Sequence, residues 1–226
     1  MKKYLFPLFL FVLCLSCTSP KNSEDFIANT TGRYLFNANE VLEVYFKEKE
    51  LFIKWRGKDD IHPLKVNDSS FYMKELNEKI MFVSQPEIHI ELAPKTEHEG
   101  ITYHFKKMNA DEKTPNEYFE AKEYDKTLAA FLEIQRKDAL SPEVRERRVN
   151  DIGYSFLRDK EYEKAIEIFK INTVLYPKSS NTFDSLGDAY LKIKDTAKSI
   201  ENYKKALAIN PENRSSLRMM KKIDKE

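Results

Sequence analysis

The stretch that decides the fold occurs twice, as RRVNDIGYSFLRDKEYEKAIEIFKINTVLYP at residues 147–177 and as SNTFDSLGDAYLKIKDTAKSIENYKKALAINP at residues 180–211. The closing prolines, Pro177 and Pro211, lie 34 residues apart (211 − 177). On this period, residues of similar size and polarity coincide: Val149 with Phe183, Ile152 with Leu186, Phe156 with Tyr190, and Phe169 with Tyr203. The spacing of the apolar residues predicts helices, and each proline ends a helix.

Both copies carry a glycine inside the first predicted helix, Gly153 and Gly187. A glycine at such a position costs about 1 kcal/mol relative to alanine. Because the cost is repeated, we predict that the second helix approaches closely at this point, where small Ala165 and Ser199 fit. One helix pair cannot bury both of its faces, so the pairs are expected to stack on each other.

The period, the residue sizes and the terminal proline resemble the tetratricopeptide repeat, a helix-turn-helix unit of 34 residues. The resemblance implies a solenoid of helix pairs in a domain at residues 116–226. We expect a degenerate repeat at 116–140, repeats at 146–179 and 180–213, and a capping helix at 213–225. It also implies a concave surface that holds a protein or peptide partner.

The beginning of the chain has the pattern of an export signal. Lys2 and Lys3 precede an apolar run, Leu5–Leu15, that is too short to span a bilayer. Ser16-Cys17 resembles the cleavage box of bacterial lipoproteins. The resemblance implies a signal peptide at residues 1–16, lipidation (palmitate) of Cys17, and anchoring in the cell envelope, on the periplasmic or surface face of the outer membrane. An ordinary secretory leader, cleaved elsewhere, is the alternative. A flexible tether is predicted at residues 17–29.

The period changes to two between residues 30 and 109, which predicts a β domain. Leu42, Val44 and Phe46 alternate with polar or aromatic neighbours, a pattern typical of half-buried strands. The predicted strands are Gly32–Phe36, Val41–Lys47, Glu50–Arg56, Ile61–Val66, Ser69–Lys74, Lys79–Ser84, Glu87–Ala93 and Ile101–Lys107. The fold class is therefore α+β with two domains, a small antiparallel β-sandwich or barrel followed by an α-helical solenoid.

The order of strand patterns in the β domain, with His62-Pro63-Leu64 after the third strand, resembles the accessory domain of β-lactamase-like serine hydrolases. The catalytic part of such enzymes is not recognisable in this sequence. Neither Ser-x-x-Lys nor Gly-x-Ser-x-Gly occurs, and the five glycines form no phosphate-binding loop. We predict that the protein is not an enzyme and needs no cofactor.

Charge and cysteine content exclude further classes. The net charge of +1 does not favour nucleic acid binding, and Cys14 and Cys17 are the only cysteines. His89 and Glu91 share one face of a strand and could bind a metal, but we interpret them as a solvent-facing alternation. His98 is interpreted as a solvated loop residue, and His104 has no evident partner. No metal site is predicted.

The solenoid resemblance places a set of first-helix residues on the concave surface. This mixed polar set suits a peptide or a partner helix. The predicted groove residues are Arg147, Asn150, Tyr154, Arg158, Asn181, Asp184, Asp188 and Lys192.

Two function classes follow. The first is a non-catalytic envelope lipoprotein that binds a protein partner through the groove and the membrane through its lipid. The second is a small-ligand or glycan-binding envelope protein that uses aromatic residues of the β domain, such as Trp55 and Phe71. An accessory module of a separate serine hydrolase is a further alternative.

Overall fold

The computed structural model describes residues 21–225, which form two compact units divided between Ala110 and Asp111. The first unit is built of antiparallel sheets and the second of helices. We call them the β unit and the helical unit. The predicted signal peptide and Cys17 lie outside the described residues.

Between residues 21 and 110, the β unit contains one α-helix, one short 3-10 turn (Thr96–His98) and nine strands in two antiparallel sheets, with the orders β1-β2-β3-β4 and β5-β6-β7-β8-β9. The elements are α1 (Glu24–Thr30), β1 (Gly32–Asn37), β2 (Glu40–Lys47), β3 (Glu50–Trp55), β4 (Lys58–Ile61), β5 (Leu64–Lys65), β6 (Ser70–Met73), β7 (Glu78–Val83), β8 (His89–Leu92) and β9 (His104–Lys106).

An isolated bridge between Tyr34 and Lys107 joins the edge of the first sheet to the end of the second. The amide of Met108 supports it by donating to the carbonyl of Arg33 at 2.7 Å. Within residues 21–110 no ladder joins β4 to β5, so the sheets are not closed. The antiparallel meander is as predicted, whereas a closed barrel is not observed.

The predicted alternation holds in the long strands. Leu42 and Val44 of β2, and Ile53 of β3, are at most 1% exposed and point into one core. Their neighbours Glu43 and Lys54 are exposed. Burial of one face of each sheet therefore sets the register of these strands.

The predicted strand Ile61–Val66 is wrong, because it is divided between the two sheets. β4 begins at Lys58, after a two-residue hairpin in which Arg56 and Gly57 both have positive φ, 50° and 74°. Two such residues form the tight turn that matches the twist of a hairpin. Residues 57–60, which the predicted strands Glu50–Arg56 and Ile61–Val66 leave as a connection, are thus mostly strand.

The predicted tether at residues 17–29 is corrected by helix α1. Ser23 caps this helix by accepting from the amide of Phe26 at 3.2 Å. The Phe26 ring packs against Phe71 and Phe82 of the core, with ring centroids 5.9 and 5.3 Å apart. Packing of this ring holds the otherwise polar segment on the β unit, together with the hydrogen bond that the hydroxyl of Tyr34 donates to the carbonyl of Thr30 at 2.8 Å.

The helical unit consists of seven helices, each packed on the next or on the one after it. They are α2 (Pro115–Glu120), α3 (Tyr124–Lys137), α4 (Glu146–Arg158), α5 (Tyr162–Leu175), α6 (Ser180–Lys192), α7 (Thr196–Ile209) and α8 (Arg214–Ile223). Ser141-Pro142 begins a short 3-10 turn rather than α4.

Three helix pairs, α2–α3, α4–α5 and α6–α7, are joined by the same turn. In each turn a lysine has positive φ: 59° at Lys122, 63° at Lys160 and 62° at Lys194. The following amide then donates to the carbonyl five residues earlier in all three cases. The segment predicted as a degenerate repeat therefore forms a helix pair like the other two, with a shortened first helix.

The close approach predicted at the two glycines is confirmed, although the contacting residues are aromatic. A Cβ atom on Gly153 would lie 2.3 Å from the Phe169 ring, and one on Gly187 would lie 2.6 Å from the Tyr203 ring. Only glycine leaves room for these rings, because real Cβ atoms do not approach other atoms so closely.

Candidate peptide-binding groove

The first helices of two pairs and the last helix form a groove of about 690 Å³, which we call the inner groove. Helices α4, α6 and α8 lie on its walls. Leu157, Leu191 and Met219 contribute the apolar part of its lining. The remaining lining residues are Tyr154, Arg158, Asp188, Lys192, Lys194, Ser215, Arg218 and Lys222.

Half of the eight predicted groove residues line the inner groove: Tyr154, Arg158, Asp188 and Lys192. All four lie in the C-terminal halves of α4 and α6. The predicted residues nearer the helix N-termini lie elsewhere.

Asn150 and Asp184 occupy equivalent positions in the two pairs, and both are buried, 8% and 5% exposed. The hydroxyl of Ser216, on α8, donates to a carboxylate oxygen of Asp184. Burial raises the pKa of Asp184, an effect that this hydrogen bond partly opposes. Packing of α8 therefore removes this carboxylate from the surface.

The other two predicted residues lie near the start of their helices. Arg147 is exposed on α4. The side-chain amide of Asn181 donates to Glu146 at 3.1 Å, so it connects α6 to α4. Neither residue lines the inner groove.

Sequence reasoning missed the contribution of α8, which was predicted only as a cap. Ser215, Arg218 and Lys222 line the groove, and they lie 34 residues after Asn181, Asp184 and Asp188. Extending the repeat period by one more copy would have found them. Helix α8 thus takes the position that the first helix has in the preceding pairs.

The inner groove is basic. Among the described residues that line it, one is acidic, Asp188, and five are basic: Arg158, Lys192, Lys194, Arg218 and Lys222. Helix α8 adds to this charge, since its ten residues RSSLRMMKKI include no carboxylate. A concave surface with charge of one sign concentrates the electrostatic potential inside it.

The single carboxylate of the lining is held by two tyrosines. The hydroxyl of Tyr154 donates to Asp188 at 2.9 Å, and that of Tyr203 donates to its other oxygen at 2.7 Å. Burial, followed by the neighbouring carboxylate, raises the pKa of both tyrosines, so both remain protonated donors. Asp188 therefore connects three helices and uses both oxygens in doing so.

The aromatic residues of the β unit are largely structural. Trp55 and Phe71, which a sugar-stacking surface would need to expose, are 5% and 1% exposed and belong to the core. Phe52 stacks on the exposed His62, with ring centroids 4.8 Å apart.

His98 is buried rather than solvated, with 8% exposure. It lies 3.3 Å from Glu78, which also pairs with Lys95 at 2.9 Å. Burial raises the pKa of Glu78, but the hydrogen bonds from these two partners outweigh it and lower the pKa overall. These contacts hold the 93–103 loop against β7.

Comparison with known proteins supports the repeat. Residues 181–213 match the family model of the tetratricopeptide repeat, so the chain contains such a repeat at α6 and α7. No curated protein matches the chain.

Similar solved structures include three domains of low sequence identity. The second TPR domain of human RPAP3, in complex with HSP70 peptide SGPTIEEVD, is 17% identical, covers 50% of this chain and 90% of its own, and has a TM-score of 0.35. The Sgt2 TPR domain from Aspergillus fumigatus is 20% identical, covers 49% and 72%, and has a TM-score of 0.35. MamA from Desulfovibrio magneticus RS-1 is 20% identical, covers 45% and 55%, and has a TM-score of 0.29.

Within residues 21–225, every helix is too short or too polar to cross a membrane.

Proposed function

We propose that the helical unit is a protein-binding scaffold whose inner groove holds an acidic peptide segment of a partner protein. The observation that carries this proposal is the charge of the groove, five basic side chains against one carboxylate in the lining. Binding, rather than chemistry, is the role of the repeat in this proposal.

The one carboxylate of the groove lining is hydrogen-bonded to tyrosines, and the five basic side chains of the lining outnumber it. Both oxygens of Asp188 accept hydrogen bonds from tyrosine hydroxyls, which keeps this side chain turned toward the helices. Arg158 on α4, Lys192 on α6 and Arg218 on α8 approach the groove from all three walls. An acidic segment would meet a cation on each wall.

The apolar part of the lining suits a peptide better than a fully hydrated anion. Leu157, Leu191 and Met219 offer surface on which an apolar side chain of the peptide can be buried. The volume of about 690 Å³ accommodates a few residues of an extended or helical segment. The proposed occupant is therefore a segment that alternates acidic and apolar residues.

We further propose that the protein acts in the bacterial cell envelope, anchored through lipidated Cys17. The support is the export pattern that precedes this cysteine. Labelling of cells with a fatty-acid analogue is expected to mark the wild-type protein and not the Cys17→Ser variant. Label on the variant would remove the anchor from the proposal.

The groove is tested with two fluorescent nonapeptides of equal length, one alternating Glu with Leu and the other alternating Lys with Leu. Fluorescence anisotropy with the purified protein is expected to show binding of the Glu peptide only. The variant Arg158→Glu/Lys192→Glu/Arg218→Glu is expected to bind it at least about tenfold more weakly. Added salt is expected to weaken binding to the wild type, since screening acts on exposed charges.

A matched control changes the net charge equally outside the groove. Arg148, Lys178 and Lys204 are exposed and do not line it, so the variant with all three changed to Glu is expected to bind within about twofold of wild type. Equal loss in both triple variants, or equal binding of the Lys peptide, would overturn the proposal.

A further inference from the structure

Strands β8 and β9 bring His89 and Glu91 together with His104, which lies 13 residues after Glu91 (104 − 91) in the sequence. Glu91 is directly opposite His104 in the antiparallel ladder, and His89 precedes Glu91 by two residues on the same face. Ile90 and Phe105, on the other face, are 0% and 4% exposed and lie in the core. The strands that carry the three polar side chains are therefore fixed by core residues on their other face.

His89 is not the solvent-facing residue that alternation predicted, because it is 4% exposed. Its Nδ1 atom lies 2.7 Å from the carbonyl oxygen of Glu87. A carbonyl oxygen can only accept, so Nδ1 carries the proton. In the neutral imidazole the other nitrogen, Nε2, then presents a lone pair.

That lone pair faces a second acceptor. The Nε2 atom of His89 lies 3.1 Å from a carboxylate oxygen of Glu91. Two electron pairs at this distance repel each other unless a cation lies with them. The cation is either a second proton, which would make His89 a buried imidazolium, or a metal ion bound by both atoms.

A third potential ligand, His104, lies close to this pair. The ring of His104 stacks on that of His89 with centroids 4.0 Å apart and an angle of 16° between the planes. A ligand atom from each of His89, Glu91 and His104 lies within 4.8 Å of the others. Two imidazole nitrogens and one carboxylate are a donor set that Zn²⁺ prefers.

We propose that His89, Glu91 and His104 bind one divalent transition-metal ion, Zn²⁺ being the best match to the donors. The Glu87 carbonyl acts as the outer partner that selects the tautomer of His89 and orients its ring, as such partners do for metal-ligating histidines. Because the exposed His104 can rotate toward the ion, the buried part of the site needs no rearrangement. A fourth position remains for water or a ligand atom from a partner.

The test is a titration of Zn²⁺ into the protein, purified without a histidine tag and stripped with a chelator. Isothermal calorimetry is expected to show one equivalent bound per chain. His104→Ala and Glu91→Gln are expected to weaken binding at least about tenfold, since each removes one of three ligands. Both positions are at least partly accessible, so the substitutions leave the core intact.

The chain supplies a matched control in His62, an exposed histidine that lies 3.3 Å from Glu50. His62→Ala removes a histidine–glutamate pair of similar spacing outside the cluster, and it is expected to keep full Zn²⁺ binding. Zn²⁺ is also expected to raise the Tm of wild type and of His62→Ala but not of His104→Ala. Absence of binding to wild type, or undiminished binding in both His104→Ala and Glu91→Gln, would overturn the proposal.

Discussion

The two helix pairs α4–α5 and α6–α7 share a backbone arrangement but differ in the side chain that packs on the glycine. Both have the same lysine turn and the same glycine contact. In the first pair the ring against the glycine is Phe169, which contacts Tyr154 edge-on with centroids 5.2 Å apart. In the second pair it is Tyr203, whose hydroxyl donates to Asp188. The same packing position is apolar in one pair and hydrogen-bonded in the other.

The second helices of the two pairs also differ in how many sides they bury. Helix α5 buries seven residues, of which five are large and apolar. Helix α7 buries only four residues, of which two are polar. Helix α5 contacts α3, α4 and α6, while α7 contacts α6 and the short α8. Position in the array, and not the repeat itself, thus decides how apolar a helix must be.

The largest expected effect tests the shared feature, the glycine contact. Gly153→Ala and Gly187→Ala are expected to lower the free energy of unfolding by about 1–3 kcal/mol, because overpacking exceeds the helix propensity that alanine gains. The loss is expected to be larger at Gly153, where the ring is closer. Urea unfolding followed by circular dichroism measures both.

The control for the glycine variants is Asp151→Ala, on the exposed side of α4, which is expected to change stability by less than about 0.5 kcal/mol. Combining Gly153→Ala with Phe169→Leu is expected to cost less than the sum of the single changes. A Gly153→Ala protein as stable as wild type would show that the contact does not require glycine.

The second-largest expected effect tests the difference between the pairs, which is the hydroxyl group that Tyr203 has and Phe169 lacks. Tyr203→Phe removes one of the two hydrogen bonds to Asp188 and is expected to cost about 1–2 kcal/mol. The reverse change, Phe169→Tyr, is expected to destabilise by a similar amount, because Tyr154 stands where the second pair has Asp188 and no carboxylate receives the new hydroxyl.

Both exchanges are measured by the same unfolding experiment. Tyr154→Phe, which removes the other hydroxyl from Asp188, serves as the comparison for Tyr203→Phe. If Phe169→Tyr stabilised the protein, the first pair would tolerate the polar arrangement of the second, and the distinction between the pairs would fail.

The smallest effect concerns Asp184, whose equivalent in the first pair is Asn150. Burial raises the pKa of Asp184, so the folded state binds its proton more tightly than the unfolded state does. The ionised form therefore costs stability above the folded pKa, and that cost disappears as the pH falls below the unfolded pKa.

Asp184→Asn is accordingly expected to stabilise the protein at pH 7 by less than about 1 kcal/mol, because the amide can still accept from Ser216. The gain is expected to shrink between pH 7 and pH 4. Thermal unfolding of wild type and variant at the two pH values measures the change. A variant less stable than wild type at pH 7 would mean that the hydrogen bond to the carboxylate outweighs its burial.

Much of each helix pair could be predicted from the sequence. The glycines and the 34-residue period indicate a close helix pair without any knowledge of its neighbours. The rings that meet the glycines, Phe169 and Tyr203, coincide on the same period, although small Ala165 and Ser199 were predicted at this contact. Alternation likewise identified the buried residues Leu42 and Val44, because one face of a strand must be apolar.

The candidate sites were less accessible to sequence reasoning. Asp184 matches a groove position by period, but α8 covers it through Ser216. His104 lacked a partner in the sequence, because alternation says which face a residue takes and nothing about which strand lies beside it. The ladder between β8 and β9 supplies that information by pairing Glu91 with His104.

By itself, the sequence determined the helix pairs, the close contact at Gly153 and Gly187, and the faces of the long strands. These features depend on local period and residue size. Only the tertiary structure decided that α8 completes a basic groove and that His89, Glu91 and His104 meet on one sheet. Such arrangements join segments distant along the chain, and the packing of whole elements sets the distances between their side chains.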